Sequence, residues 1–378
     1  MKKILIITLE FPPQVGGIAT YVRALADELD HDVVVYAPYD GNTKEWDAKQ
    51  PYKIIRKKPL FPRFMWPRWI RMVFQVWRIV RKEKIEVILL HHVLPVGYVG
   101  LILKKITGVP YLIFSHGTDL LMGTRTPWKK KMMSMVANHS TQLVFNSQSL
   151  KDRFLLIFPE FESKSIVVYP CPDRDFSTFP SFSELHKLKE QYALEGKKVI
   201  LSIARFDEGK GMPHLIRLLP DVLKKVPNAV WLLIGDGPKK AEAMKLIHDE
   251  ALQNVVRYVG PLPHDKLKPF YYSADVFVLL LHPDEGREEG LGMVFLEAAA
   301  CGIPAVAGKS GGVEEAVIHT ETGLVFDVRR DVKAITEGIV QILSHSEFGH
   351  QLGRQAQERM QTSFKWEHQV GRLKPWIE

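Results

Sequence analysis

The chain has little of what would tie it to several large protein classes. It holds two cysteines in 378 residues, Cys171 and Cys301. That is too few for a disulfide framework or a cysteine metal site, and it fits a reducing compartment. No apolar run is long enough to span a bilayer. The opening stretch to Leu9 has the apolar look of a secretion signal, but it stops at Glu10 and Pro12-Pro13. A first buried strand is the better expectation there. Low-complexity tracts are absent, and charged residues at 25% are ordinary for a globular protein. The dinucleotide fingerprint G-x-G-x-x-G is absent as well, which argues against a nicotinamide oxidoreductase. What remains is a protein of two domains, each large enough for its own core, expected in the cytoplasm.

Charge is plentiful and unevenly spread. The formal net charge is +8. Between Arg56 and Lys84 lie Lys57, Lys58, Arg63, Arg68, Arg71, Arg78, Arg81 and Lys82, opposed by Glu83 alone and interleaved with Phe61, Phe64, Trp66, Trp69, Phe74 and Trp77. A second cluster, Trp128-Lys129-Lys130-Lys131, opens another helical pattern. Cations mixed with aromatics suit an anionic membrane surface, where each nearby cation contributes about 1 kcal/mol. The same residues also fit a solvated basic face whose tryptophans pack inward. Phosphate binding with base stacking ranks behind both, so nucleic acid is not expected as a partner.

Short continuous apolar runs alternate with helical patterns in two successive sets. The first set is Ile4–Leu9, Val33–Ala37, Val87–His91, Tyr111–Phe114, Leu143–Asn146 and Ile166–Tyr169. The second is Val199–Ile203, Val230–Ile234, Val256–Val259, Val276–Leu281, Ala305–Ala307 and Leu324–Phe326. Such strands with helical crossovers predict an α/β fold of two doubly wound, Rossmann-like domains with parallel sheets covered on both faces. The expected boundaries are 1–175 for the first domain and 176–196 for a linker, within a stretch rich in Pro, Ser and Phe. The second domain then spans 197–360, and a segment 361–378 crosses back to the first. Ligands are expected at the carboxyl ends of strands, in the cleft between domains.

The loops after those strands hold the candidate chemistry. Gly16-Gly17 precedes a helix and allows close approach of backbone to ligand, although such a pair is often only a turn. His116 follows the fourth strand, where it can bond a sugar hydroxyl or be satisfied by its own turn. Arg205 and Lys210 offer a planar fork and a point charge to phosphate. Gly235 ends the next strand, and Gly260 to Asp265, Leu262 among them, follow the third, placed to contact a base. Glu289 and Glu297 stand eight apart around a turn, with a helix expected to begin near Leu291. The amide groups of Leu291, Gly292 and Met293 would then face a phosphate. Asp284, Glu285 and Glu288 are acidic neighbours of Glu289. An acidic loop before a helix is also simply favourable to its dipole, by roughly 0.3–1 kcal/mol per charge.

Arg205-x4-Lys210, Glu289-x7-Glu297 with its Ala-Cys-Gly-Ile-Pro continuation, Gly16-Gly17 and His116-Gly117 together resemble the retaining glycosyltransferases of family 4, with the GT-B fold. The resemblance covers essentially the whole chain. It implies transfer of a sugar from a nucleotide diphosphate with retention of configuration and without metal or cofactor. It further implies that Arg205 and Lys210 hold the diphosphate, Glu289 the donor sugar and Glu297 the ribose. His116 would stand beside the transferred sugar, and Gly16-Gly17 near phosphates and acceptor. Glu-Glu-Gly-Leu-Gly-Met-Val and Val-Ala-Gly-Lys-Ser-Gly-Gly resemble mannosyltransferases that use GDP-mannose on phosphatidylinositol mannosides. A lipid or glycan acceptor at an anionic membrane surface is the corresponding expectation. The turn Pro170-Cys-Pro-Asp-Arg-Asp175 departs from the family's common Pro-Asn-Gly-Val-Asp. A UDP-sugar donor with a soluble acceptor and a non-catalytic basic binding protein are the alternatives.

Overall fold

Runs of Val, Ile and Leu with no polar face build two parallel sheets, as expected for strands buried on both sides. A computed structural model describes residues 2–14, 16–29, 32–39, 41, 43–284 and 288–378. They divide into two units, Met1–Pro170 with Trp366–Glu378, and Cys171–Lys365.

The first unit holds β1 (Ile4–Thr8), β2 (Val33–Pro38), β3 (Lys53–Lys57), β4 (Val87–His91), β5 (Tyr111–Ser115), β6 (Gln142–Phe145) and β7 (Ser165–Val167). Their order is β3-β2-β1-β4-β5-β6-β7. Every residue of β1, β4, β5 and β6 is buried, and Ile4 pairs with Val33 on one side and Val87 on the other. The Trp366–Gly371 helix belongs to this unit: Trp366 packs 5.7 Å from Tyr21, Gln369 Oε1 accepts from Tyr169 N at 2.9 Å, and Arg372 donates to Val167 O at 2.9 Å.

The second unit holds β8 (Lys198–Ile203), β9 (Ala229–Ile234), β10 (Val256–Gly260), β11 (Val276–Leu279), β12 (Ala305–Gly308) and β13 (Gly323–Phe326), in the order β10-β9-β8-β11-β12-β13. Trp231, fully buried in β9, donates its indole N–H to Ser202 of β8 at 2.9 Å, so even the largest core side chain has its polar atom satisfied. Both cysteines are buried and unbridged.

Three local expectations change. β3 was not anticipated: its sequence, Lys-Ile-Ile-Arg-Lys, has charged ends and only half-buried isoleucines, as suits a sheet edge. Residues 176–196, expected as linker, contain the helix Phe182–Gln191, which starts at a reciprocal Ser181–Glu184 capping box and follows the 3-10 turn Arg174–Ser177. The basic, aromatic stretch is also less uniform than its composition. Arg56 is an internal group, held between both carboxylate oxygens of Asp47 and Pro12 O, and Arg68 donates to Phe61 O at 2.8 Å. Trp69 stacks on Tyr98 at 4.8 Å. Phe64, Trp66 and Phe74 are by contrast 85%, 84% and 59% exposed, with Trp128 at 57%.

Candidate active site

The sheet of the second unit changes winding direction between β8 and β11, where the loops leaving adjacent strands diverge and leave a crevice. The loop after β8 carries Arg205 and Lys210 before the helix Met212–Lys225. Gly211 turns it in the left-handed region, φ 72°, and a Cβ there would stand 1.8 Å from Leu280 O at the end of β11. Only glycine lets the loop lie this close, and the contact fixes Lys210 over the β11 end. His282 N donates to Gly209 O at 3.0 Å and closes the same junction.

Lys210 and Glu289 meet there. Lys210 Nζ lies 2.6 Å from Glu289 Oε2, both side chains being partly exposed. The backbone of Glu289 is held by the loop after β12. Its N–H donates to Ser310 Oγ at 3.3 Å, its carbonyl accepts from Gly312 N at 3.1 Å, and Gly311, at φ 54°, would put a Cβ 2.0 Å from that carbonyl. Arg205 is not drawn into this pair. Its side chain is 71% exposed, with Nε 3.6 Å from Asp207, and its fork remains open to a ligand. Gly235 sits beside the β10 end, its N–H donating to Gly260 O at 3.0 Å, and half-buried Leu262 lies in the loop that follows.

The helix after Glu289 begins at Met293, two residues later than expected, because Gly292 adopts a left-handed conformation, φ 87°, as its N-cap. Leu291 and Gly292 therefore precede the helix, and Leu291 is buried. Glu285, one of the acidic neighbours of Glu289, lies outside the described residues, as does Val15 before Gly16. Glu297 is 2% exposed, and both its oxygens are engaged: Oε1 by His264 Nε2 at 2.9 Å and Oε2 by the Tyr271 hydroxyl at 2.7 Å. Burial, reinforced by the charge of Glu297, holds the Tyr271 phenol well above its ordinary pKa, so it stays a donor. The contacts of His264 and Tyr271 to Glu297, and of Ser310 to Glu289, were not anticipated. Ser310 alone had a sequence signal, the Gly311-Gly312 pair after an apolar strand.

In the first unit, His116 follows β5 and is nearly buried, its Nε2 3.1 Å from His91 Nδ1 at the end of β4. Asp119 holds this turn: Oδ1 accepts from Ser115 Oγ at 2.8 Å and from the N–H groups of His116 and Gly117, and Oδ2 from Val93 N at 3.2 Å. His92 has φ 129°, a strained value for a non-glycine residue, next to these groups. Sequence reasoning missed His91 and His92, because their approach to His116 depends on β4 pairing with β5.

Burial, with His92 as the lesser cause, lowers the His116 pKa from 6.5 to about 3. The unfolded chain therefore takes up a proton first. The stability this group contributes is fully present above about pH 6.5 and is lost as pH falls towards about 3, at about 1.4 kcal/mol per pH unit. Buried His91, also lowered by desolvation, adds in the same direction. Calorimetric melting between pH 4 and 7 checks this: Tm should fall with pH, and more shallowly in His116→Gln. Equal slopes would contradict the burial argument.

Gly16 and Gly17 open the helix Gly17–Glu28. Neither has a left-handed φ, and a Cβ on Gly17 would meet nothing within 4 Å. The fold does not require glycine here. Gly17→Ala is thus expected to leave Tm within about 1 °C while lowering kcat/KM at least tenfold, if the open side admits a ligand. Unchanged kinetics would make the pair a plain turn.

The sequence relationships agree with this geometry. A model of "Glycosyltransferase Family 4" matches residues 15–176, and one of "Glycosyl transferases group 1" matches residues 186–359. The chain is 27% identical over 377 residues to the GDP-mannose-dependent alpha-(1-6)-phosphatidylinositol monomannoside mannosyltransferase of Mycolicibacterium smegmatis, covering 98% of this chain and 96% of that one. It is 23% identical to the N-acetyl-alpha-D-glucosaminyl L-malate synthase of Bacillus anthracis, over 80% and 77% of the two chains. Among solved structures, a glycosyltransferase from Rickettsia africae superposes with a TM-score of 0.84 at 18% identity, covering 99% and 97% of the chains. Anabaena HepE in complex with UDP-glucose gives 0.82 at 19% identity, with 99% of each covered. With a family 4 domain followed by a group 1 domain on this double sheet, the chain belongs to the glycosyltransferases of the GT-B fold.

Proposed function

We propose that this glycosyltransferase moves mannose from GDP-mannose, with retention of configuration and without metal, to a lipid-linked or glycan acceptor at an anionic membrane surface. The observation that carries the transfer chemistry is the Lys210–Glu289 pair at the strand ends, with the open Arg205 fork on the same loop as Lys210. In this reading the bond from the anomeric carbon to the diphosphate breaks while the acceptor oxygen bonds the same face. The departing phosphate oxygen takes the acceptor proton. Arg205 and Lys210 stabilise the charge that develops there, which is the largest single term in such a step. Glu289 receives sugar hydroxyls, Glu297 the ribose diol, Leu262 the base, and Gly235 with the amide groups near Met293 the phosphates. His116, neutral at physiological pH, and Gly16-Gly17 are the first unit's candidates for the sugar and the acceptor.

The donor and acceptor are supported by relatives from two mycobacterial genera, each named GDP-mannose-dependent and each matching nearly the full chain at 26–27% identity. The membrane surface is supported by the exposed Phe64, Trp66, Phe74 and Trp128, set among exposed Lys57, Lys58, Arg63, Arg78 and Lys131. Among the described residues no helix is long and apolar enough to cross a bilayer, so attachment would be peripheral. A second reading, a UDP-sugar moved to a soluble acceptor, is supported by the UDP-glucose complex of a neighbour with the same fold.

Flotation with vesicles containing phosphatidylinositol or phosphatidylglycerol tests the surface. Binding should fall steeply between 50 and 300 mM salt, and more in a variant neutralised at Lys57, Lys58, Arg63 and Arg78. Phe64→Ser with Trp66→Ser should weaken what remains at high salt. Binding indifferent to salt and to these changes would remove the membrane from the account.

A further inference from the structure

Glu297 is an unusual place to put a ligand-binding carboxylate, because it is almost wholly inside the protein. It lies on the Met293–Ala300 helix, and its two protein partners come from a different part of the unit. His264 belongs to the loop that follows β10, two residues after Leu262, and Tyr271 to the helix Lys268–Tyr272. A carboxylate only accepts hydrogen bonds, so the ring nitrogen 2.9 Å from Oε1 must be the protonated one. The other ring nitrogen, Nδ1, faces Asp173 Oδ2 at 3.5 Å. The His264 ring also packs edge-on against Phe176 at 5.3 Å. Asp173 belongs to the turn that departs from the family's common pattern, and Phe176 follows that turn directly.

From this arrangement we infer that His264 and Tyr271 are positioning residues for Glu297, preset by Asp173 and Phe176, and that they make the site select a ribose over a 2'-deoxyribose diphosphate. The inference rests on the reading of Glu297 as the ribose acceptor. A carboxylate has about four acceptor sites. One donor on each oxygen fills two and leaves two, the number of hydroxyls in a vicinal diol. With His264 on Oε1 and Tyr271 on Oε2, the carboxylate plane cannot rotate without breaking a charge-assisted bond, so both remaining sites keep one direction. Losing either donor frees the group to turn, and the diol then meets a mobile acceptor at the entropic cost of ordering it. His264 also ties the direction of Glu297 to the loop carrying Leu262. The proposed ribose and base contacts are thereby linked through one loop.

Binding of nucleoside diphosphates to the full chain tests this without reference to the sugar or the acceptor. GDP, UDP and their 2'-deoxy forms are titrated calorimetrically, using whichever base binds more tightly. Wild type is expected to favour the ribose form by about tenfold to a hundredfold, the value of one hydrogen bond to a charged group. Glu297→Gln should bring that ratio close to one. His264→Phe keeps a ring against Phe176 and removes the donor, so the ratio should drop severalfold, while His264→Gln restores an N–H near the Nε2 position and should recover most of it. Tyr271→Phe removes a single hydroxyl and should lower the ratio even if the His264→Phe chain fails to fold. A ratio unchanged in His264→Phe and Tyr271→Phe, but lost in Glu297→Gln, overturns the positioning roles alone. A ratio unchanged in Glu297→Gln overturns the ribose reading and this inference with it.

Discussion

Lys210→Ala is expected to lower kcat by about 10²–10³, the usual cost of removing one preorganised donor from a developing charge. The reasoning starts from the 2.6 Å contact to Glu289. In the resting site that contact is a partly exposed ion pair and adds at most about 1 kcal/mol to folding. Its larger effect is geometric: Lys210 holds Oε2, so in the proposed reaction Oε1 is the atom left to receive sugar hydroxyls. Glu289→Ala should therefore cost a similar factor. The two losses should not multiply, because each residue holds the other in place. Single-turnover rates of the two variants and the double variant check this. A double variant no worse than about tenfold below either single one is expected. Full additivity would mean that the pair is incidental and that each residue acts alone.

The second large effect is on folding. Gly211→Ala forces a Cβ to within 1.8 Å of the Leu280 carbonyl at a φ of 72°, where side chains are already disfavoured. Backbone faces backbone, so no side-chain rotation relieves the clash, and the loop must leave the β11 end. A loss of more than about 3 kcal/mol is expected, at the severe end for point changes. Any folded fraction should have lost nucleotide binding, since Lys210 moves with the loop. Gly260→Ala is the control: its φ is 90°, but a Cβ there meets nothing within 4 Å, so strain alone remains, about 1–2 kcal/mol. Denaturant unfolding of the two variants, compared with wild type, measures the difference. Equal costs would mean that the close approach at Leu280 does not limit the fold.

Both expectations depend on features that differ in how far the sequence disclosed them. Strands buried on both faces announce themselves by unbroken apolar runs, which is why β4 was legible to its last residue. β3 was not, because an edge strand with charged ends looks like any basic segment. The start of the helix before Glu297 was misplaced by two residues, since a left-handed glycine and a helix-starting glycine read alike. Ser181-x-x-Glu184 was a legible capping box, masked by the Pro- and Phe-rich stretch around it. Composition misjudged Arg56, whose partner Asp47 lies nine residues away across a turn and an edge strand. Lys210, Glu289 and Glu297 stood out by spacing. The groups that hold them did not, because His264 and Tyr271 reach Glu297 across 33 and 26 residues of chain. Such contacts are set by the winding of the sheet, which the local pattern of the sequence does not record.

The most direct test of the proposed reaction is to incubate purified protein with radiolabelled GDP-mannose, UDP-glucose or UDP-N-acetylglucosamine, each with and without vesicles of an anionic bacterial lipid extract. Wild type and Glu289→Ala are run in parallel, and label is followed into the organic phase. The account predicts lipid-borne label from GDP-mannose alone, as the α-anomer, reduced at least a hundredfold by Glu289→Ala. Label passing from a UDP-sugar into a water-soluble product would contradict the donor and acceptor. Transfer undiminished in Glu289→Ala would contradict the site itself.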